Sequence, residues 1–104
     1  MRNVSLAHLV VTCKDYAPMY NWYLRKSDGY YYFACNEPKS PSFDKKRFEM
    51  LESNDDFVLM PECHNMEDEE GACVIREWCI KNDISFLEDM ELIEDAYGMY
   101  YLDY

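Results

Sequence analysis

The clearest local pattern along the chain lies between residues 20 and 35. Two aromatic-rich runs there flank Ser27-Asp28-Gly29. An Asp-Gly step between such runs is typical of an antiparallel hairpin, because glycine readily takes the positive φ that tight hairpin turns need. The pattern predicts a strand on each side of the turn, with Trp22 and Leu24 on one face and Tyr23 on the other.

Apolar spacings of three and four residues predict helices on both sides of this hairpin. Residues 4–13 fit a helix better than a strand, which remains the alternative. A second helix is predicted to run to about Ser53, capped by Ser42 or Asp44. Residues 57–60 form a short apolar run stopped by Pro61, which predicts a strand.

The second half of the chain predicts two more helices. The first has Asn65 as its candidate N-cap and ends at Lys81 and Asn82. The second covers residues 87–97, is ended by Gly98, and is followed by residues 99–104 with strand propensity. Together the patterns predict an α+β fold in a single domain of residues 1–104, with a small antiparallel sheet packed against two to four helices.

The charge is high and uneven. The chain has 104 residues with 21 acidic and 10 basic side chains, a net charge of −11. Residues 1–50 carry +3 and residues 51–104 carry −14. Direct nucleic-acid binding is disfavoured, since phosphates need Lys and Arg. No apolar run approaches the roughly 20 residues that cross a bilayer, so no membrane partner is expected either.

Cysteine usage indicates a reduced protein of the cytoplasm. The five cysteines are an odd number without a CxxC pair, unlike a secreted disulfide scaffold or a zinc ribbon. Cys63 and His64, with Cys73 and Cys79, offer four metal ligands on paper. Their spacing is poor for a tetrahedral site, so we expect no metal or cofactor, and Cys73 and Cys79 to be core residues.

Catalysis is not expected. The chain has no phosphate-binding loop, no GxSxG and no HExxH. Cys63 next to His64 is a possible nucleophile and base, but sequence neighbours seldom face each other, and a surface loop is the favoured interpretation.

The acidic residues of the second half are candidates for partner binding. Five carboxylates within residues 88–95 would lie along about 12 Å of helix, one per roughly 2.4 Å, a spacing comparable to the phosphates of duplex DNA. With the run at 67–70 they could form a phosphate-like band, or simply a solvated face. The candidates are Glu67, Asp68, Glu69, Glu70, Glu88, Asp89, Glu91, Glu94 and Asp95.

Tyrosines are the second group of candidate contacts. The chain has 10 of them, more than so small a core can hide. Tyrosine is favoured at interfaces because it combines a large apolar area with a polar tip. Tyr31, Tyr100 and Tyr101 are the candidate anchors; the alternative is an exposed sheet face held by cross-strand pairs.

In size, acidity, tyrosine content and lack of a catalytic motif, the chain resembles the anti-defence proteins of phages and mobile elements. These include anti-CRISPR proteins and DNA mimics that block nucleases. The resemblance is compositional and covers the whole chain. Two segments, Trp22 to Phe33 and Ile75 to Phe86, are also similar to an uncharacterised bacterial family, which pairs such a hairpin with a helix ending in Glu-Trp-Cys.

We therefore expect a non-enzymatic inhibitor that binds the basic nucleic-acid-binding surface of a bacterial defence nuclease and blocks DNA binding there. A CRISPR effector is the most plausible target. One alternative is a cytosolic adaptor or antitoxin-like module that binds through a tyrosine-rich sheet face, with the acids only solubilising. Another is a small metal-dependent enzyme.

Overall fold

The computed structural model describes residues 3–15 and 18–102, with backbone only for residues 98–102. The elements in chain order are β1 (Val4–Ser5), α1 (Leu6–Asp15), β2 (Tyr20–Arg25), β3 (Tyr31–Cys35), α2 (Lys45–Ser53), β4 (Phe57–Leu59), α3 (Asp68–Lys81), β5 (Phe86–Leu87), a 3-10 turn (Met90–Leu92) and α4 (Ile93–Leu102). The α+β prediction is confirmed.

The chain forms two compact units. The sheet unit is Tyr16–Met60, and the helical unit is Arg2–Asp15 together with Pro61–Tyr104. In the chain, the sheet unit is thus inserted between the two segments that form the helical unit. The expectation of a single domain stays a prediction.

An antiparallel sheet of order β3-β2-β4 forms the sheet unit. β2 and β3 are the predicted hairpin, with Tyr23 opposite Tyr32. Gly29 takes a φ of 74° in the connecting turn, the conformation expected of glycine there. β4 pairs with the other edge of β2, where Tyr23 is opposite Leu59.

Helix α2 packs against the face of the sheet that carries Tyr23. Buried Tyr23, Ala34 and Leu51 form the core of this unit. Of the two predicted caps, the helix uses Asp44, whose Oδ1 accepts a hydrogen bond of 3.1 Å from the Arg47 backbone N–H. An oxygen at this position satisfies one of the backbone donors left free at a helix start.

Helix α1 is the centre of the helical unit and is buried from Leu6 to Cys13 except at His8. It packs against both α3 and α4. Gly71 of α3 lies so close to Val10 that an added Cβ would be 3.3 Å from Val10 Cγ1. β1 and β5 form a parallel pair in which Val4 is opposite Phe86. The parallel pair was not predicted.

The predicted N-cap of α3 is wrong. Asn65 has a φ of 65°, in the left-handed region, whereas an N-cap needs extended backbone. The turn that contains it is closed by the Met66 N–H donating to the Cys63 carbonyl at 3.2 Å. The helix starts three residues later at Asp68, with Glu67 as the extended cap residue. Its predicted end at Lys81 is confirmed.

The bounds of the last predicted helix are wrong at both ends. Leu87, the first residue of the predicted helix, instead belongs with Phe86 to β5 and pairs with β1, and α4 begins only at Ile93. The helix continues through Gly98 to Leu102, so the strand predicted for 99–104 is wrong for 99–102; residues 103 and 104 lie outside the described residues. A glycine inside a helix costs only about 1 kcal/mol, which packing elsewhere along the helix can offset.

The 3-10 turn and α4 supply three partly buried apolar side chains to the core of the helical unit. Met90, Ile93 and Tyr97 pack against a buried cluster of Ala7, Val11 and Ala96. Within residues 3–15 and 18–102, no helix combines the length and apolar character needed to cross a bilayer.

Candidate partner-binding acidic surface

The excess negative charge belongs to the helical unit. Its residues include 14 acidic and 4 basic side chains, a net charge of −10. The sheet unit has 7 acidic and 6 basic side chains, a net charge of −1. All nine candidate acids lie in the helical unit. The charge asymmetry predicted along the chain is therefore an asymmetry between two folded units.

Asp68 is used to hold helices together. Its Oδ1 is paired with Lys14 Nζ at the end of α1 and accepts a hydrogen bond of 3.0 Å from Tyr97 Oη on α4. The hydrogen bond from Lys14, reinforced by that from Tyr97, lowers the pKa of the Asp68 carboxyl. The same contact raises the pKa of Lys14. One carboxylate thus joins three helices.

Glu88 is paired with Arg76 across the segment that follows α3. Arg76 donates from Nε at 3.0 Å and from Nη2 at 2.6 Å to Glu88 Oε1. This charge-assisted contact lowers the pKa of Glu88. Glu88 precedes the 3-10 turn and lies outside α4. The prediction that Glu88 belongs to a helical row of carboxylates is therefore wrong.

Asp89 secures the beginning of α1. Its Oδ1 accepts from the Ala7 backbone N–H at 2.9 Å, and its Oδ2 accepts from Ser5 Oγ at 2.6 Å. Ser5 Oγ in turn accepts from the His8 backbone N–H at 3.1 Å. Asp89 thus acts as a helix cap from 82 residues away. No local signal in the sequence indicates this role.

The other six candidate acids are exposed. They form two groups, which we name the α3 group (Glu67, Glu69 and Glu70) and the α4 group (Glu91, Glu94 and Asp95).

The two groups adjoin the two acids that hold α1. The α3 group flanks Asp68, which contacts Lys14, and the α4 group follows Asp89, which contacts Ala7. Tyr97 of α4, two residues after Asp95, also donates to Asp68, so α4 extends from the Asp89 contact toward Asp68. The single helical track predicted for residues 88–95 is wrong, because only Glu94 and Asp95 of its five acids lie in α4.

The tyrosine candidates fall in different places. Tyr31 is half-buried on β3, opposite Leu24. Tyr100 and Tyr101 lie in α4, and their side chains are outside the described residues. Phe33 is not among the residues predicted from the sequence, yet it is 44% exposed and stacks on Trp22 with ring centroids 4.8 Å apart. Phe33 lies directly opposite Trp22 in the hairpin, and counting outward from the Asp28-Gly29 turn would have paired the two residues.

The cysteines and histidines do not assemble a ligand set. Among residues 3–15 and 18–102, no three His, Cys, Asp or Glu side chains are arranged to hold a metal ion. Cys79 is buried as predicted, but Cys73 is exposed on the solvent side of α3, because it lies six residues from Cys79 and the two point to different sides. The surface position expected for Cys63 is wrong: its side chain is fully buried, and its Sγ lies 3.0 Å from that of Cys13.

Comparison of the chain with known protein families, curated proteins and solved structures found no match.

Proposed function

We propose that this protein is a non-enzymatic inhibitor that binds the basic nucleic-acid-binding surface of a bacterial defence nuclease in the cytoplasm and blocks DNA. A CRISPR effector is the first candidate. The observation that carries the proposal is the charge of −10 on the helical unit, against −1 on the sheet unit. Stability alone does not require such a concentration, because like charges repel within a compact unit.

The exposed acids are available to a partner, whereas neighbouring cations are already engaged. Lys14 and Arg76 are paired with Asp68 and Glu88. The α3 and α4 groups therefore project negative charge that these two cations do not neutralise. First-turn acids also stabilise their own helices through the helix dipole, which accounts for part of their placement.

A groove lined by Lys and Arg for nucleic acid would attract these two groups. Complementary charge mainly accelerates association and selects the partner, and both effects weaken as salt screens the field. Binding by such a surface is expected to compete with DNA and to fall steeply with ionic strength.

A second candidate function rests on the sheet unit. Tyr30 is 56% and Phe33 is 44% exposed. Aromatic side chains of this kind are common at protein interfaces. An adaptor or antitoxin-like module would bind through them, and the acids would only keep the protein soluble.

The experiment starts from the immobilised protein and a bacterial lysate at low salt. Proteins released by duplex DNA are identified, and the association rate of the purified target is measured at several salt concentrations. The test variant reverses the α4 group: Glu91→Lys, Glu94→Lys and Asp95→Lys. The control makes the same charge change at exposed sites of the sheet unit: Glu37→Lys, Glu49→Lys and Asp55→Lys.

We expect the α4-group variant to associate at least about tenfold more slowly at low salt, with a much smaller effect in the control. A nuclease released by DNA supports the proposal. Equal effects of the two variants would show that only net charge matters. Loss of binding by Phe33→Ala, with no effect of charge reversal, would favour the adaptor.

A further inference from the structure

Two buried cysteine thiols face each other within the helical unit. Cys13 lies on α1 and Cys63 in the segment before α3, and their Sγ atoms are 3.0 Å apart. Cys13 is 2% exposed and Cys63 is 0% exposed. Both are free thiols, 50 positions apart in the chain. Neither the acidic surface nor the exposed aromatic residues use this pair.

The surroundings give the two sulfurs different chemistry. Cys13 Sγ is placed to donate its proton to Cys63 Sγ or to the Pro61 carbonyl oxygen. The hydrogen bond from Cys13, together with the positive charge of Lys14, lowers the pKa of Cys63. The pKa of Cys13 is raised by the same contact and by burial. Cys63 is therefore the better nucleophile, since the thiolate is the reactive form.

We propose that Cys13 and Cys63 are a redox-active pair that forms a reversible intramolecular disulfide on exposure to a peroxide. The Cys63 thiolate attacks one oxygen of hydrogen peroxide, the O–O bond breaks, and the departing hydroxide takes up a proton to become water. Cys63 is then a sulfenic acid. Cys13 sulfur attacks Cys63 sulfur and expels hydroxide, which takes the Cys13 proton. Two thiols are oxidised and one peroxide is reduced to two waters.

Cys63 is fully buried, so a small oxidant reaches it only when the segment of residues 60–67 opens. Residues 60–67 contain no helix or strand, so opening this segment disrupts few backbone hydrogen bonds. One backbone hydrogen bond that this opening would break is the one that the Met66 N–H donates to the Cys63 carbonyl. In a reducing cytosol the disulfide would be transient, as expected of a redox-sensing bond.

The position of the pair in the chain gives the bond a consequence. The sheet unit leaves the helical unit after Asp15 and returns at Pro61, and each cysteine lies two residues from one of these junctions. A disulfide between Cys13 and Cys63 would enclose the whole sheet unit in a covalently closed loop of the chain. Closing so long a loop restricts the unfolded chain and raises the melting temperature.

The test uses the full chain carrying Cys73→Ser, which removes the exposed thiol and with it intermolecular disulfides. The folded protein is treated with hydrogen peroxide, remaining thiols are alkylated, and peptides are mapped without reduction. We expect one cross-linked peptide joining Cys13 and Cys63, reversal by dithiothreitol, and a rise in melting temperature of roughly 10 °C. Cys35 and Cys79, which are equally buried, serve as internal controls and should stay free.

Three outcomes would overturn the proposal. These are alkylation of both Cys13 and Cys63 after peroxide treatment, sulfinic acid at either one without a cross-link, and cross-links to Cys35 or Cys79 at equal yield. Cys13→Ser in the same background adds a second measurement. Cys63 should then stop at the sulfenic acid stage, which a dimedone probe captures. The mapping of the parent chain stands even if this variant folds poorly.

Discussion

Neighbouring carboxylates in the acidic regions have different roles: some hold parts of the fold together, and others are exposed to solvent. Asp68 and Asp89 are adjacent to exposed acids, yet each makes contacts with a distant part of the chain. Composition and spacing identified the acidic regions, and these regions do contain exposed acids. They could not separate a structural acid from a free one, because the partners Lys14 and Ala7 are distant in sequence.

At the residue scale, Asp68→Asn should destabilise the protein in a pH-dependent manner. The lowered folded-state pKa means that the carboxylate stabilises the fold above its ordinary pKa of 3.8. That contribution disappears as pH falls through the lower folded value. We expect the variant to lose roughly 1 kcal/mol at neutral pH, because the pair is partly exposed, and to approach the parent in acid.

Urea unfolding from about pH 7 to about pH 3 measures this difference. Glu69→Gln, one position along α3, is the matched control and should show little change, since Glu69 is exposed. A constant difference between parent and Asp68→Asn across this range would contradict the role assigned to the Lys14 contact.

At the scale of elements, local signals predicted what local interactions determine. The hairpin at Gly29 and the cap at Asp44 follow from turn and capping chemistry within a few residues. The start of α4 and the β1–β5 pair do not, because β5 pairs with a strand more than 80 residues earlier. Each of these strands has only two residues, which is too short for an alternating pattern of apolar and polar positions to be recognised.

The α1–α3 packing predicts a strong size limit at Gly71. A larger side chain there would meet Val10, which is fully buried and cannot turn toward solvent. We expect Gly71→Leu to lower the free energy of unfolding by about 2 kcal/mol or more, despite leucine's better helix propensity. Cys73→Leu, on the exposed side of α3, is the control. Guanidinium unfolding measures both, and equal stability would refute the close packing.

At the scale of the whole molecule, each unit contains one tryptophan. Trp22 lies in the sheet unit and Trp78 in the helical unit. The variants Trp22→Phe and Trp78→Phe therefore leave a single fluorescent reporter in one unit or the other. If the chain is one domain, as the sequence predicts, both reporters should give the same denaturant midpoint, coincident with circular dichroism. Midpoints that differ would identify two separately unfolding domains.

The parallel pair of β1 with β5 also sets an order of events during synthesis. A ribosome releases α1, the most deeply buried helix, long before the residues at 86–96 that cover it. The nascent chain therefore carries an uncovered apolar segment at residues 6–13, while the two strands of the hairpin are close in sequence and can pair early. Translation thus favours assembly of the sheet unit first, with the later segments packing around α1 only after residues 86–96 have been synthesised.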